Sequence, residues 1–324
     1  MRRRTLSMIA LSLVAAGCAP SPAHSGTATT VGSCEASAQS IKIATGNAGG
    51  VYHALGGALA KLISGNTRIT ATSAETGASV QNIQELTAGK YDVAFSLADT
   101  AADAVAGTGA FAGGPQKIQA LTRIYPNYTQ VVVRKDAGID DIAGMRGKRI
   151  STGSPKSGTE VVANRLLKAA GLNPDTDVQA AHLGLAETAT GMADGSLDGL
   201  IWSGGLPTTQ LADLTKSLKG KVKFLDVLPL LDGLKKISPV YDDGVIPAAT
   251  YGQPADIPTI VVPNMLLVRE DFPAPSACAI TTLIFTRGEE LEKAHPAAKD
   301  ITMDKAPQTD PVPLHPGSKR ALGD

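Results

Sequence analysis

Two copies of one short pattern hold the residues best placed to do chemistry. Ile41 to Thr45 runs into Gly46-Asn47-Ala48-Gly49-Gly50-Val51-Tyr52, and Arg149 to Thr152 runs into Gly153-Ser154-Pro155-Lys156-Ser157-Gly158-Thr159. Each copy reads as a strand, a Thr-Gly turn and a helix start. The first N–H groups of a helix lack intrahelical partners, and a turn of Gly, Ser and Thr lets a ligand approach the backbone, so either copy suits a carboxylate or a phosphate. Two such cups facing across a cleft would make a small-anion receptor.

Other chemistries fit the residues less well. The second turn has the glycine spacing of a P-loop but no Lys between Gly158 and Thr159, so a contact to the β/γ-phosphates is missing. No Gly-x-Ser-x-Gly elbow occurs. His24, His53, His182, His295 and His315 lack the paired spacing of metal ligands. The expectation is therefore no metal, no cofactor and no enzymatic activity, with a hydrolase built on Ser157 and His182 as the remaining enzymatic alternative.

The elements that must position the two turns read as α/β. Val51, Leu55, Ala58, Leu59 and Leu62 form an apolar stripe at helical spacing, and Val80, Ile83 and Leu86 form another that stops at Gly89. Tyr91 to Phe95 reads as a strand. In the second half come a helix through Val162, Leu166, Leu167 and Ala170 ending at Gly171, a strand near Val178 to His182, a helix near Glu187 to Ala193 and a strand Leu197 to Trp202. Alternation of short strands with helices predicts mostly parallel sheets. Thr122 to Val133 and Ile257 to Val268 read as two crossings between lobes, which makes one lobe discontinuous and puts the binding site in the cleft. The expected division is 41–130 with 261–324 for lobe 1, and 131–260 for lobe 2.

The N-terminus predicts where such a receptor works. Arg2, Arg3 and Arg4 precede an apolar run from Leu6 to Ala16, too short for a mature transmembrane helix and arranged as a signal peptide. It ends Val14-Ala15-Ala16-Gly17-Cys18, similar to a bacterial lipobox. Residues 1–18 are expected to be a lipoprotein signal, with Cys18 lipidated and the protein anchored outside the cytoplasm. Secretion after cleavage at a nearby small residue is the alternative. Residues 19–40 lack apolar periodicity and read as a flexible tether. Losing three of the 30 basic residues with the signal leaves 27 against 30 acidic, a net charge of −3, which gives no pointer to nucleic acid. Cys34 and Cys278 remain in a compartment that permits disulfides. They either bridge, closing a long loop, or Cys278 is a buried free thiol in the apolar stretch Ala277 to Ile284.

Several segments together resemble the TAXI family of TRAP-transporter solute-binding proteins. They are Ile43-Ala44-Thr45-Gly46 with Gly49-Gly50-Val51-Tyr52 and Gly56-Gly57-Ala58, Val133-Arg134-Lys135-Asp136-Ala137-Gly138-Ile139, Gly147-Lys148-Arg149, Gly153 with Ser157-Gly158-Thr159, Ile246-Pro247-Ala248-Ala249-Thr250-Tyr251, and Leu314-His315-Pro316-Gly317. The resemblance covers residues 41 to 317. It implies a type II periplasmic-binding-protein fold, a monomer, and delivery of a glutamate- or glutamine-like carboxylate to a sodium-coupled TRAP membrane permease. The same fold would also serve an ABC importer or a ligand sensor.

The resemblance places ligand contacts on the first turn (Thr45, Gly46, Gly50, Val51), with Tyr52 closing over the solute, and on the second (Ser154, Ser157, Gly158, Thr159). A third contact falls on the loop after strand Tyr91 to Phe95, at Ser96 and Leu97. Many family members have Gln-Ser-Asp where this chain has Leu97-Ala98-Asp99, so the lost polar groups favour a less polar ligand tail. Plainer roles stand beside these. Tyr52 fits an ordinary amphipathic helix position, Ser157 and Thr159 fit N-caps, and Thr76 and Ser79 fit caps of the next helix as well as ligand donors. Trp202 fits either the cleft wall or the core. Asp99 reads as a cap or a partner for Thr100, and Arg123 or Arg165 as an optional carboxylate clamp or, for Arg165, a solvated helix face.

Overall fold

Two long strands tie the molecule together, and the rest of the sheet is built outward from them. The computed structural model describes residues 34–323. The strands are β1 (Gln39–Ala44), β2 (Ile69–Ala74), β3 (Val93–Leu97), β4 (Ile118–Arg134), β5 (Arg149–Ser151), β6 (Gln179–Ala181), β7 (Gly199–Gly204), β8 (Val222–Phe224), β9 (Asp242–Ile246) and β10 (Ile257–Arg269). Their order is β2-β1-β3-β10-β4-β7-β5-β6, with β8 added beside β4 and β9 beside β10.

Strands β1, β2 and β3 pair in parallel, as do β5, β6 and β7, which is what strands separated by helical crossovers must do. Strands β4 and β10 run antiparallel to each other and to their neighbours. The C-terminal half of β10, from Asn264, pairs with β3; its N-terminal half, to Val261, pairs with β9. Likewise β4 meets β7 only from Tyr128 onward. The two crossings read from the sequence are therefore β4 and β10, passing from one lobe to the other. At mid-crossing Pro126 faces Pro263, and the register slips between Pro263 and Met265. Two residues without an N–H interrupt the ladder there, which makes this the pliable point of the pair.

Four helices matter for the site: α1 (Val51–Asn66), α2 (Ser79–Thr87), α3 (Ala98–Ala106) and α4 (Gly158–Ala169). The stripe expected on α1 is the buried one, with Leu55, Leu59 and Leu62 each 2 % exposed, and each such side chain contributes about 1.5–3 kcal/mol by leaving water. They pack with Ile280 and Ile284 of the helix Ala274–Thr286 on one face of the first lobe, while α2, α3 and α4 share a second core with β3, β4 and β10.

Cys34 is bonded to Cys278 on that helix, the Cα atoms 5.5 Å apart. The tether reading extends too far toward the C-terminus: Ala36 is buried and Gln39 already pairs with Ile69, so the ordered body begins before residue 41. Cys18 and the signal segment lie outside the described residues. No helix among the described residues is long and apolar enough to cross a membrane.

Candidate functional site

Four helices begin at one cavity of about 40 Å³. Gly50, Val51 and Tyr52 come from the start of α1, Ala78 and Ser79 from α2, Leu97 from the residue before α3, and Ser157, Gly158 and Thr159 from α4. Each helix start carries roughly half a positive charge from its aligned peptides. None of the lining residues is basic, so the positive potential there comes from backbone alone. The other walls are Gly46 and Asn47, Tyr125 and Asn127 on β4, and Trp202, Ser203, Gly204 and Gly205 at the end of β7.

Local sequence explains why the backbone can come so close. Gly153 turns with φ +92°, and a Cβ there would strike the Thr159 side chain at 2.6 Å. At Gly158 a Cβ would stand 2.5 Å from Leu97 Cδ1 and 2.6 Å from Ser79 Oγ, atoms of the opposite lobe. Glycine therefore lets the start of α4 close down on α2 and α3. Around the rim, Ser154 Oγ donates to Asn47 Oδ1 at 2.8 Å, the Gln81 N–H to Lys156 O at 3.0 Å, and Gln210 Nε2 to Ala48 O at 3.2 Å. The first joins the two turns directly, the others tie each turn to a helix facing it, and the lobes are shut.

The cavity floor is a chain of side-chain amides across the crossing strands. Tyr52 donates its hydroxyl to Asn264 Oδ1; Asn264 Nδ2 donates to Tyr125 O and Asn127 Oδ1, both at 2.8 Å; Asn127 Nδ2 donates to Ser203 O at 3.1 Å. Burial drives the phenol pKa values of Tyr52 and Tyr125 far above 10, so both hydroxyls keep their protons. Two buried donors at the cavity are left over. Neither the Tyr125 hydroxyl nor Trp202 Nε1 has a hydrogen-bond partner among the described residues.

Of the residues expected at the site, Gly46, Gly50, Val51, Tyr52, Ser79, Leu97, Ser157, Gly158, Thr159 and Trp202 line the cavity. Thr45, Thr76, Ser96 and Ser154 do not. Thr45 donates to Ala74 O at 2.6 Å, Thr76 to Asn82 Oδ1 at 2.6 Å and Ser96 to Leu97 O at 3.0 Å, all spent on holding loops, and Ser154 clasps Asn47. Ser157 is the N-cap of α4, its Oγ accepting from the Glu160 N–H at 3.0 Å. The Thr159 hydroxyl accepts from the Ser203 N–H at 3.2 Å, tying α4 to β7.

The arginines are elsewhere. Arg165 is neither a solvated face nor a ligand clamp: at 9 % exposure it meets Asp99 at 2.7 Å and Asp103 at 2.6 Å, with Tyr241 donating to Asp99. Asp99 does also accept from the Thr100 N–H at 2.6 Å, as expected, but its other oxygen belongs to this pair across the lobes. Burial raises the Asp99 carboxyl pKa, opposed by the Arg165 charge. Arg123 lines a separate cavity of about 440 Å³ beside Lys235, Asp242 and Asp310. His182 pairs with Glu160 at 2.8 Å and Ser157 caps a helix, so their partners are not each other. The described residues contain no His/Cys/Asp/Glu group that could hold a metal.

Sequence reasoning missed Asn47, Ala78, Tyr125, Asn127, Ser203, Gly204 and Gly205. The only available signal was position: Tyr125 and Asn127 stand on a predicted crossing, and Ser203-Gly204-Gly205 follows the end of a strand.

This architecture, two α/β lobes joined by crossing strands around a cleft, is that of periplasmic binding proteins. The chain is similar to a Bordetella bronchiseptica RB50 protein of known structure, with 20 % identity, 88 % of this chain and 80 % of that one covered, and a TM-score of 0.56. It is also similar to the binding protein component of an ABC phosphonate transporter from Pseudomonas aeruginosa, with 12 % identity, 82 % and 80 % covered, and a TM-score of 0.51. An alkanesulfonate-binding protein from Xanthomonas axonopodis pv. citri bound to MOPS aligns with 17 % identity, 88 % and 83 % covered, at a TM-score of 0.48. Residues 43–323 match the NMT1-like family, and the chain belongs to it.

Proposed function

We propose that this protein is an extracytoplasmic solute receptor whose lobes, 41–130 with 261–324 and 131–260, close on a small oxyanion and deliver it to a membrane importer. One observation carries the reading: helix starts from both lobes converge on a single cavity whose buried Tyr125 and Trp202 donors are unpartnered. Backbone N–H groups and neutral donors there replace the ligand's water, and closure excludes the rest. Hydrogen bonds to a charged group contribute about 1.5–3 kcal/mol each, so four or five of them reach the roughly 8 kcal/mol that micromolar binding requires after ordering costs.

For the importer, the shared fold with a phosphonate transporter's binding component supports an ABC-type partner. The TAXI-like motifs favour a second reading, a TRAP permease and a carboxylate solute. In both, Cys18 carries the lipid that keeps the receptor at the membrane.

A thermal-shift panel of small carboxylates, sulfonates and phosphonates tests the receptor reading. A ligand at a hundred times its Kd should add about 2.7 kcal/mol of apparent stability. Complete indifference to all three classes would sink it. Uptake into vesicles carrying the candidate permease then separates the importers, by dependence on ATP or on a sodium gradient.

A further inference from the structure

We infer that the solute is a compact monovalent oxyanion carrying no ammonium group, and that Tyr125 and Trp202 donate hydrogen bonds to it; this rests on the receptor reading above. The absence of charge among the lining side chains is the first ground. A zwitterionic amino acid needs an acceptor for its ammonium, and the acids nearby are committed elsewhere. Asp99 is turned to Arg165 and Tyr241, Glu75 accepts from the Ala48 N–H at 2.8 Å, and Glu160 accepts from the Lys156 N–H at 2.7 Å. The side-chain amide oxygens of the lining are engaged too: Asn127 Oδ1 by Asn264, and Asn47 Oδ1 by Ser154. An ammonium would also sit against the positive ends of four helices.

The second ground is the absence of a basic side chain, which leaves a second negative charge on the ligand without a counter-ion. The third is size. The cavity is small in the closed state, about 40 Å³, which favours an anion of acetate or methanesulfonate size over a ten-atom dicarboxylic amino acid.

Glycine lets the end of β7 pack closely against both rings. A Cβ on Gly204 would lie 2.3 Å from Trp202 Nε1, and one on Gly205 2.9 Å from Tyr125 Cε2. Tyr125 is fully buried and Trp202 is 9 % exposed, so water competes poorly for either group. Both belong to residues that line the cavity and are neutral donors without a partner among the described residues, and backbone N–H groups would supply the rest of the anion's bonds.

Trp202 is the only tryptophan of the chain, so its emission reports on the cavity directly. The test is a fluorescence titration of the purified protein, paired with its melting temperature, against acetate, propionate, methanesulfonate, glycine, alanine, glutamate and succinate. At least one of the first three should bind, and its amino-substituted or dicarboxylic counterpart should bind about tenfold or more weakly. Preference for the carboxylates or for the sulfonate then tells which oxyanion is native. Tyr125→Phe should weaken the bound anion by about tenfold to a hundredfold. The same variant should melt no lower than the parent without ligand, because the hydroxyl it removes has no partner among the described residues. Tighter binding of an amino acid or of succinate would overturn the inference and leave the receptor reading standing. A Tyr125→Phe variant with unchanged affinity would overturn the donor assignment. Silence toward all seven compounds, alongside silence in the wider anion panel, would remove both.

Discussion

Removing the Arg165 side chain as Arg165→Leu should cost the protein about 3–5 kcal/mol, because it strands Asp99 in a site with no exposure. The figure follows from the geometry. Asp99 and Asp103 stand one helical turn apart on α3 and share one guanidinium at 2.7 and 2.6 Å, and Arg165 also donates to the Tyr241 hydroxyl at 3.1 Å. Deleting a partner in such a pair exposes the full desolvation penalty of the other, whereas deleting both together costs far less. For a chain of this size about 1 kcal/mol lowers the melting temperature by roughly 2–4 °C, so a fall of about 6–20 °C is expected by calorimetry. The double variant Asp99→Leu/Arg165→Leu should recover most of it. The pH dependence carries a sign as well. Without Arg165 the Asp99 carboxyl, already raised by burial, rises further, and an acid whose folded pKa exceeds its unfolded value of 3.8 destabilises progressively as pH climbs through that value. The deficit of the single variant should therefore be small near pH 4 and grow toward neutrality. A loss below about 1 kcal/mol at pH 7, or one independent of pH, would show that the pair is solvated and the reasoning wrong.

Gly158→Ala should leave the ligand-free melting temperature within a few degrees but weaken the solute by about tenfold, since the added methyl would meet Leu97 and Ser79 when the lobes shut; small-angle scattering should show a more open particle. Cys34→Ser should lower stability by about 2–5 kcal/mol, and the untouched protein should gain two protons by mass spectrometry on reduction. His315 caps the helix Pro316–Leu322 by accepting at Nδ1 from the Gly317 N–H at 3.1 Å, which requires the neutral ring. Burial lowers the pKa values of His295 and His315 below 6.5, so their contribution is complete above that pH and is lost as pH falls beneath it. His315→Asn, which keeps a capping acceptor, should flatten the stability profile between pH 6.5 and 5 when followed by urea titration; an unchanged slope would rule out His315 as its source.

What could be read from the chain was whatever local chemistry dictates. The two Thr-Gly turns lead into helices at Val51 and Gly158, the stripe of Leu55, Leu59 and Leu62 is buried, and β4 and β10 lie where the crossings were expected. What stayed hidden depends on residues remote in sequence. Asp99 and Arg165 are 66 residues apart, and nothing around either announces a partner. Tyr125 looks like any strand aromatic until Gly205 folds against it, and Ser96, beside the cavity residue Leu97, spends its hydroxyl on the next carbonyl. Thr76 illustrates the ambiguity of short polar side chains: the same hydroxyl that could reach a solute is used to hold Asn82, whose amide in turn fastens Thr45 O and Phe95 O.

The bond between Cys34 and Cys278 decides where a pull on the upstream chain is felt. Tension arriving at Cys34 passes into the helix Ala274–Thr286, which packs against Ser318 through Thr281 at 2.8 Å, instead of unzipping β1 from β2 one rung at a time. Were the N-terminus anchored as proposed, tugging or shearing would load that helix and leave the opposite lobe free to swing.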